Sequence, residues 1–450
     1  MPPMTLTDGH GLPVSTHSRP ALERYGRALA MLNAFRADPL AEIEAALAEA
    51  PDFVMGHAFR AGLMAMSTER GLLPELRRSV EAAEALSARA TEREWAHVTA
   101  ARAWMGGDFA LARRRYGEIA ARWPRDLFAL QVAHQLDFFL GDAEALRARP
   151  KAALRAWGPT EAGTGAILGM LAFGLEECGE YDAAEEAGRM AVARDPGDAW
   201  AIHAVAHVME MQGRSTDGAD WLSARVRDWA PENMLAVHNW WHLALFHLDR
   251  GDHARALETF DRGVRRTTLA PAIELVDVSA MLWRFLLLGV DCGAARWEEA
   301  ARLWEAQEPG FYAFNDCHAV MAFLGAGRAE DARRAVAAME AAAGGAGTNA
   351  MMTREVGLPL ARGLIAFAEG GYAEAARLLA PLPSCAHRFG GSHAQRDVIA
   401  LTRLEAALRA GDREAAAWLA SARLAAKPES AMARGLSARV ARLRHPVVAA

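Results

Sequence analysis

Two stretches of the chain repeat one histidine pattern: HAVAHVMEMQ at residues 203–212 and HNWWHLALFH at 238–247. Each opens on histidines four apart, His203 with His207 and His238 with His242. Residues four apart share one face of a helix, so each pair can aim two imidazoles at one point. Such imidazoles suit a divalent metal ion, zinc or manganese, and a neutral imidazole also carries protons near neutral pH. Glu210 lies on the stripe of His203 and His207, as a third ligand or an acid–base group. His203 is followed by alanine, so the H-E-x-x-H signature of zinc proteases is absent, together with its general base.

The elements that must position these histidines read as helices throughout. Alanine, leucine, glutamate and arginine fill long segments broken by short Gly or Asp turns, and strand signals are almost absent. The segment ILGMLAFGLEECGEYDAAEEAGRMAVARDP places Gly179, Tyr181, Ala184, Ala191 and Pro196 in the pattern of a tetratricopeptide unit. Small residues let paired helices approach, and the proline ends the second helix. Weaker copies run from Gly107 to Pro124, after Gly251 and Gly327, and around Gly371 and Gly411. The expectation is an all-α, tetratricopeptide-like α-solenoid, a right-handed superhelix of helical hairpins. Residues 1–20 would be an extended lead packed through Leu12 and Pro13, and 21–450 a single repeat domain.

Pro196 and Pro231 phase the next two repeats, whose first helices then begin near Ala199 and Met234. His203 and His238 occupy equivalent positions, as do His207 and His242 one turn later. In tetratricopeptide proteins that stripe lines the concave groove, and neighbouring helices lie roughly 8–10 Å apart. Four imidazoles, Glu210, Asn239 and Trp240 would therefore share one cavity, with Asn239 and Trp240 as ligand contacts.

Composition narrows the class. With 52% hydrophobic and 24% charged residues there is material for a large core. A net charge of −6 and dispersed arginines disfavour nucleic acid as the main partner. The first residues carry no apolar signal-peptide core, and no apolar run is long enough for a membrane span. Cys178, Cys292, Cys317 and Cys385 are far apart and form no C-x-x-C, which fits reduced thiols and a cytoplasmic chain. A homo-oligomer is compatible with all of this.

AWAIHAVAHVMEMQGR, NMLAVHNWWHLALFHLDRGD, FNDCHAVMAFLGAGR, REVGLPL and GGSHAQRDV together resemble the tetratricopeptide repeat protein 38 family, as do DGHGLPVST and PDFVMGHAFRAGL near the start. The likeness spans nearly the whole chain in the same order and implies an all-helical repeat fold; it carries no reaction or ligand. Its motifs nominate further polar positions. FNDCHA supplies Asn315, and Asp316 and His318 for acid–base work; GGSHAQRD supplies His393, Gln395, Arg396 and Asp397 as substrate contacts. Arg354, Glu355, His57, His134 and Asp137 belong to the other motifs. Polar residues inside apolar helices cost free energy unless paired, which favours an interior site.

Each signal has a plainer reading. A lone histidine on an apolar helix is usually a satisfied core residue. Arg396 can hold a carboxylate or phosphate, or else pair with Asp397 to join two helices. Cys317 reads as a small buried hydrophobe, because adjacent helical residues point about 100° apart and cannot activate one another. Gly390 and Gly391 follow no strand and precede no G-K-[ST], so they form no phosphate loop. The function expected is a His-rich cavity binding a small anionic molecule, with hydrolysis or other acid–base chemistry. The alternative is a scaffold whose concave groove holds a peptide or protein. Peptide-clamping repeats carry Lys, Arg or Asn on this stripe; here it carries histidine.

Overall fold

The computed structural model describes residues 6–36 and 38–443; the ends of the expected 1–20 lead and 21–450 repeat domain lie outside those residues. Among them the fold is all-α, with only isolated bridges at Thr7–Pro13 and Arg36–Asn233 in place of strands. The chain packs as two compact units. The first comprises the described residues to Val205, with Arg227–Ala236 and Ala346–Thr348. The second comprises Ala206–Val226, Val237–Gly345 and the described residues from Asn349 onward.

The first unit is a run of helical hairpins. It pairs Arg19–Asn33 with Pro39–Glu49 (α1, α2), Val54–Ala65 with Leu73–Ala85 (α3, α4), and Glu92–Met105 with Phe109–Arg122 (α5, α6). Leu127–Phe139 then pairs with Ala143–Ala153 (α7, α8), and Thr164–Glu177 with Tyr181–Arg194 (α9, α10). The α9–α10 hairpin has the anticipated tetratricopeptide parts: Gly179 turns at φ +79°, Ala184 and Ala191 are fully buried, and Pro196 follows the last turn. Asp108, Asp126 and Asp142 cap the helices they precede, which is why Asp recurs at the turns. The lead is not extended throughout: it folds back in a tight turn, with Thr7 bridged to Pro13 and the Val14 amide donating to the Leu6 carbonyl, before Ser18 caps α1. Val14, Thr16 and Asp8 anchor it most deeply, whereas Leu12 is half-buried and Pro13 is exposed. The reason is polar: Arg93 reaches both the Asp8 carboxylate and the Pro13 carbonyl.

Helix α11 (Ala199–Met211) leads on to Ser215–Ser223, Val226–Trp229 and Ala236–Asp249 (α12, α13, α14), followed by His253–Thr259 (α15). The second unit continues through Ala272–Leu287, Ala294–Glu305, Ala313–Gly325, Ala329–Ala343 and Thr348–Met352 (α16 to α20). Leu358–Ala368, Tyr372–Leu379, His393–Ala410, Arg413–Ala426 and Ala431–Ala441 (α21 to α25) complete it. Inside this unit α16, α18, α21 and α23 pack side by side, and α23 returns to α16. The return is held by Trp283 donating to the Thr402 hydroxyl at 3.0 Å and Arg284 donating to the Ala394 carbonyl at 2.8 Å. Lys427 reaches Glu210 at 2.6 Å, and the Ser430 hydroxyl donates to Asp249, so the last hairpin meets the helices that begin the unit.

Candidate functional site

The second half of α11 and the first turns of α14 place three histidines of the second unit together. One ring nitrogen from each of His207, His238 and His242 lies within 4.8 Å of the others. The rings of His207 and His242 are 4.4 Å apart edge to face, and those of His238 and His242 are 4.9 Å apart. His203 stands one turn before His207 on the same face of α11, stacked on Phe173 at 5.7 Å. His203, His207 and His242 are at most 2% exposed, while His238 is only partly buried.

Asp277 of α16 fixes one of them. Its carboxylate, 1% exposed, lies 2.8 Å from Nδ1 of His238. A proton on Nδ1 facing that carboxylate leaves Nε2 as a lone-pair donor, the carboxylate–histidine arrangement that orients metal ligands. Trp241 stacks on His238 at 5.2 Å, and the Arg284 guanidinium lies 5.1 Å from the Trp241 ring centre. Arg284 is 2% exposed and donates to the carbonyls of Ala280 and Ala394, with no carboxylate in contact. Burial lowers its pKa to about 10, so the guanidinium stays charged at neutral pH. A buried cation without an ion-pair partner is a place where an anion gains free energy.

The other nominated residues of this unit divide. Glu210 shares the stripe with His207, and its carboxylate is tied to Lys427. His318, 1% exposed, shares its Nδ1 with the Phe314 carbonyl at 2.7 Å, and its Nε2 has no hydrogen-bond partner. Burial, with the nearby Arg284, lowers its pKa to about 4, so this histidine is neutral and Nε2 can accept. Asn239 is fully buried with neither side-chain atom partnered, and Trp241 Nε1 is likewise unpartnered. Asp316 Oδ1 accepts from the Gly310 amide, and Asn315 is buried beside it on α18.

At the start of α23 the expected Arg396–Asp397 pair does not form. Asp397 takes a bidentate bond from Arg423 at 2.7 and 2.9 Å, while Arg396 donates to the Gly391 carbonyl and lies 3.3 Å from His393 Nδ1. Burial opposes its charge, but Arg423 prevails and holds the Asp397 carboxyl below the usual carboxylate range. Gln395 is used in a capping box with Ser392, and His393 is exposed. Trp240 packs on Gly263 and beneath Arg262, so the tryptophan beside the histidines is Trp241; a step of one residue turns a helix by about 100°. Cys317 is buried, donates to the Gly357 carbonyl, and burial pushes its pKa well up, as a core thiol should behave. Arg354 and Glu355 are exposed, the latter paired with Arg388. His57, His134 and Asp137 belong to the first unit.

Sequence reading passed over Asp277, Arg284, Lys427 and Arg423. A signal existed for two of them. Asp277 and Arg284 lie seven residues apart, hence on one stripe, within the otherwise apolar helix ELVDVSAMLWRFLL. Charges placed on one face of such a helix call for buried partners. Nothing local marks Lys427 or Arg423, whose partners lie far away in sequence.

No protein-family model matches the chain. Among solved structures it is similar to the human IFIT1 dimer with m7Gppp-AAAA, at 15% identity over 98% of this chain and 96% of that one, TM-score 0.43. It is also similar to the APC/C hetero-tetramer Cut9–Hcn1, at 15% identity over 93% and 76%, TM-score 0.42. A third likeness is the TPR domain of P58(IPK), at 13% identity over 78% and 98%, TM-score 0.22.

Proposed function

We propose that the second unit binds a small anionic molecule in its histidine-lined interior beside a divalent metal ion, zinc or manganese, and acts on it by acid–base or metal-assisted hydrolysis. One observation carries the reading: the ligand nitrogens of His207, His238 and His242 lie within 4.8 Å of one another, with Asp277 bonded behind His238. Three imidazoles with a carboxylate orienting one of them form a donor set suited to zinc. A metal held there supplies Lewis acidity and a bound water of lowered pKa. Arg284 holds the anion's charge, Asn239 and Trp241 Nε1 take its polar atoms, and His318 Nε2 accepts a hydrogen bond. Glu210 and Asp316 are buried carboxylates available to this unit, whereas His393 is exposed and Gln395 and Asp397 are committed to a capping box and to Arg423. The motifs shared with the tetratricopeptide repeat protein 38 family support placing the chain there.

The test is metal analysis of protein purified without chelators or a nickel column, with thermal scans in added zinc and manganese. A metal that binds only the folded state must raise the melting temperature. The expected result is bound metal near one equivalent and a rise abolished by His242→Ala. Absence of metal, of any rise, and of phosphate or carboxylate binding at Arg284 would sink the reading and leave the peptide-binding scaffold.

A further inference from the structure

The first unit contains a cavity that none of this chemistry uses. It has a volume of about 560 Å³ and is lined by residues of the lead, of α1 and of the segments before α9 and α11. That volume falls within the range of pockets for small organic ligands. Its charged and titratable lining comprises Asp8, His10, Glu161, Arg194, Asp195 and Asp198. Most of these charges are answered locally. Asp8 meets Arg93 at 3.3 Å, Glu161 meets Arg125 at 2.7 Å, Arg194 donates to the Pro159 carbonyl, and Asp195 accepts from the Gly197 amide.

Two polar groups on its wall are not answered. Asp198 is 5% exposed and has no cation in contact; its Oδ1 accepts only backbone amide protons at the start of α11. Asn33 is 8% exposed, gives its Nδ2 to the Leu29 carbonyl at 2.8 Å, and leaves Oδ1 without a partner. The segments carrying them meet where Phe35 stacks on Trp200 at 5.2 Å. Both groups are acceptors, and one is an acid. Tyr25, Leu29 and Leu127 contribute apolar wall.

We propose that this cavity is a binding site for a small organic cation, a primary amine. Its ammonium donates to the Asp198 carboxylate and the Asn33 Oδ1, and its carbon body lies against Tyr25, Leu29 and Leu127. An ammonium offers three donors where the wall offers unfilled acceptors, and it supplies the counter-charge that Asp198 lacks. Without that charge, burial raises the Asp198 carboxyl to about 7. Burial lowers the pKa of His10, which makes it less prone than a free imidazole to carry a charge that would repel a cation.

The probes are butylamine and phenethylamine, with butanol and phenylethanol as neutral counterparts, titrated calorimetrically into the full chain at pH 6 and pH 8. The amines remain protonated throughout, while ionisation of a carboxyl of pKa about 7 changes roughly tenfold over that range. The expected result is amine binding about tenfold tighter at pH 8, with much weaker binding of the alcohols. Asp198→Asn keeps the capping oxygen and removes the charge, so it should lower amine affinity at least tenfold and flatten the pH dependence. Asn33→Ala should weaken amine binding while leaving the pH dependence in place. Equal binding of amines and alcohols, no amine binding at either pH, or unchanged amine affinity in a folded Asp198→Asn variant would each overturn the proposal. The wild-type pH comparison decides it even if a variant fails to fold.

Discussion

At the scale of residues the second unit is marked by polar atoms that the protein leaves unanswered. A buried polar atom without a partner costs about 1–3 kcal/mol. Asn239 is fully buried with both amide atoms in that condition, so Asn239→Leu should raise the stability of the ligand-free protein by about 1–3 kcal/mol in urea unfolding. The same substitution should abolish any stabilisation by the anionic ligand; a variant that loses stability instead would place Asn239 in the core. His207→Ala separates the two readings of the histidines in another way. A metal ligand should lose zinc binding by more than a hundredfold with a modest change in metal-free melting, because the two neighbouring imidazoles remain. A large fall in melting temperature with zinc affinity unchanged would count against the site.

At the scale of elements, close approach between helices is set by small residues. Gly174 on α9 lies against the backbone of α8: a Cβ there would sit 2.3 Å from the Leu146 carbonyl oxygen. Backbone cannot rotate away as a side chain can, so Gly174→Ala should cost about 1–3 kcal/mol. Gly435 within α25 has open space around it, so Gly435→Ala should add about 0.5–1 kcal/mol through helix propensity alone. The two alanines, compared in one set of denaturation curves, should shift the midpoint in opposite directions. The Lys427–Glu210 pair is another element-scale device, since both side chains are at most 14% exposed. Lys427→Met strands the glutamate charge and should cost about 3–5 kcal/mol, whereas adding Glu210→Gln should recover much of it.

At the scale of the whole molecule, buried groups tilt stability with pH in opposing senses. His134 is 1% exposed, and burial, reinforced by Arg149, lowers its pKa to about 3. An unfolded histidine takes up its proton near pH 6.5, so between pH 6.5 and 3 the unfolded chain binds more protons; stability is present above that window and is lost as pH falls through it. Asp198, with its pKa raised by burial to about 7, acts the other way. Between its unfolded value and 7 the folded chain holds the extra proton, so its contribution falls as pH rises through the window. His134→Leu should therefore gain about 2 kcal/mol relative to wild type on going from pH 7 to pH 5, and Asp198→Asn should lose about 2.3 kcal/mol over the same change. Urea midpoints at the two pH values check both, and parallel curves for either variant would refute its assignment.

What the sequence determined by itself is everything of short range. Helix propensity, Gly and Asp turns and the prolines after α10 and before α14 define the hairpins. The spacing of His203, His207, His238 and His242 sets each pair on one face, because the helical period acts within a few residues. What only the tertiary structure decided is which faces meet. Asp277 behind His238, Arg284 over Trp241, Lys427 on Glu210, and Arg423 in place of Arg396 on Asp397 all join residues distant along the chain. Such pairs depend on the stacking order and rotation of whole helices, which the packing of many side chains settles together and no local pattern encodes.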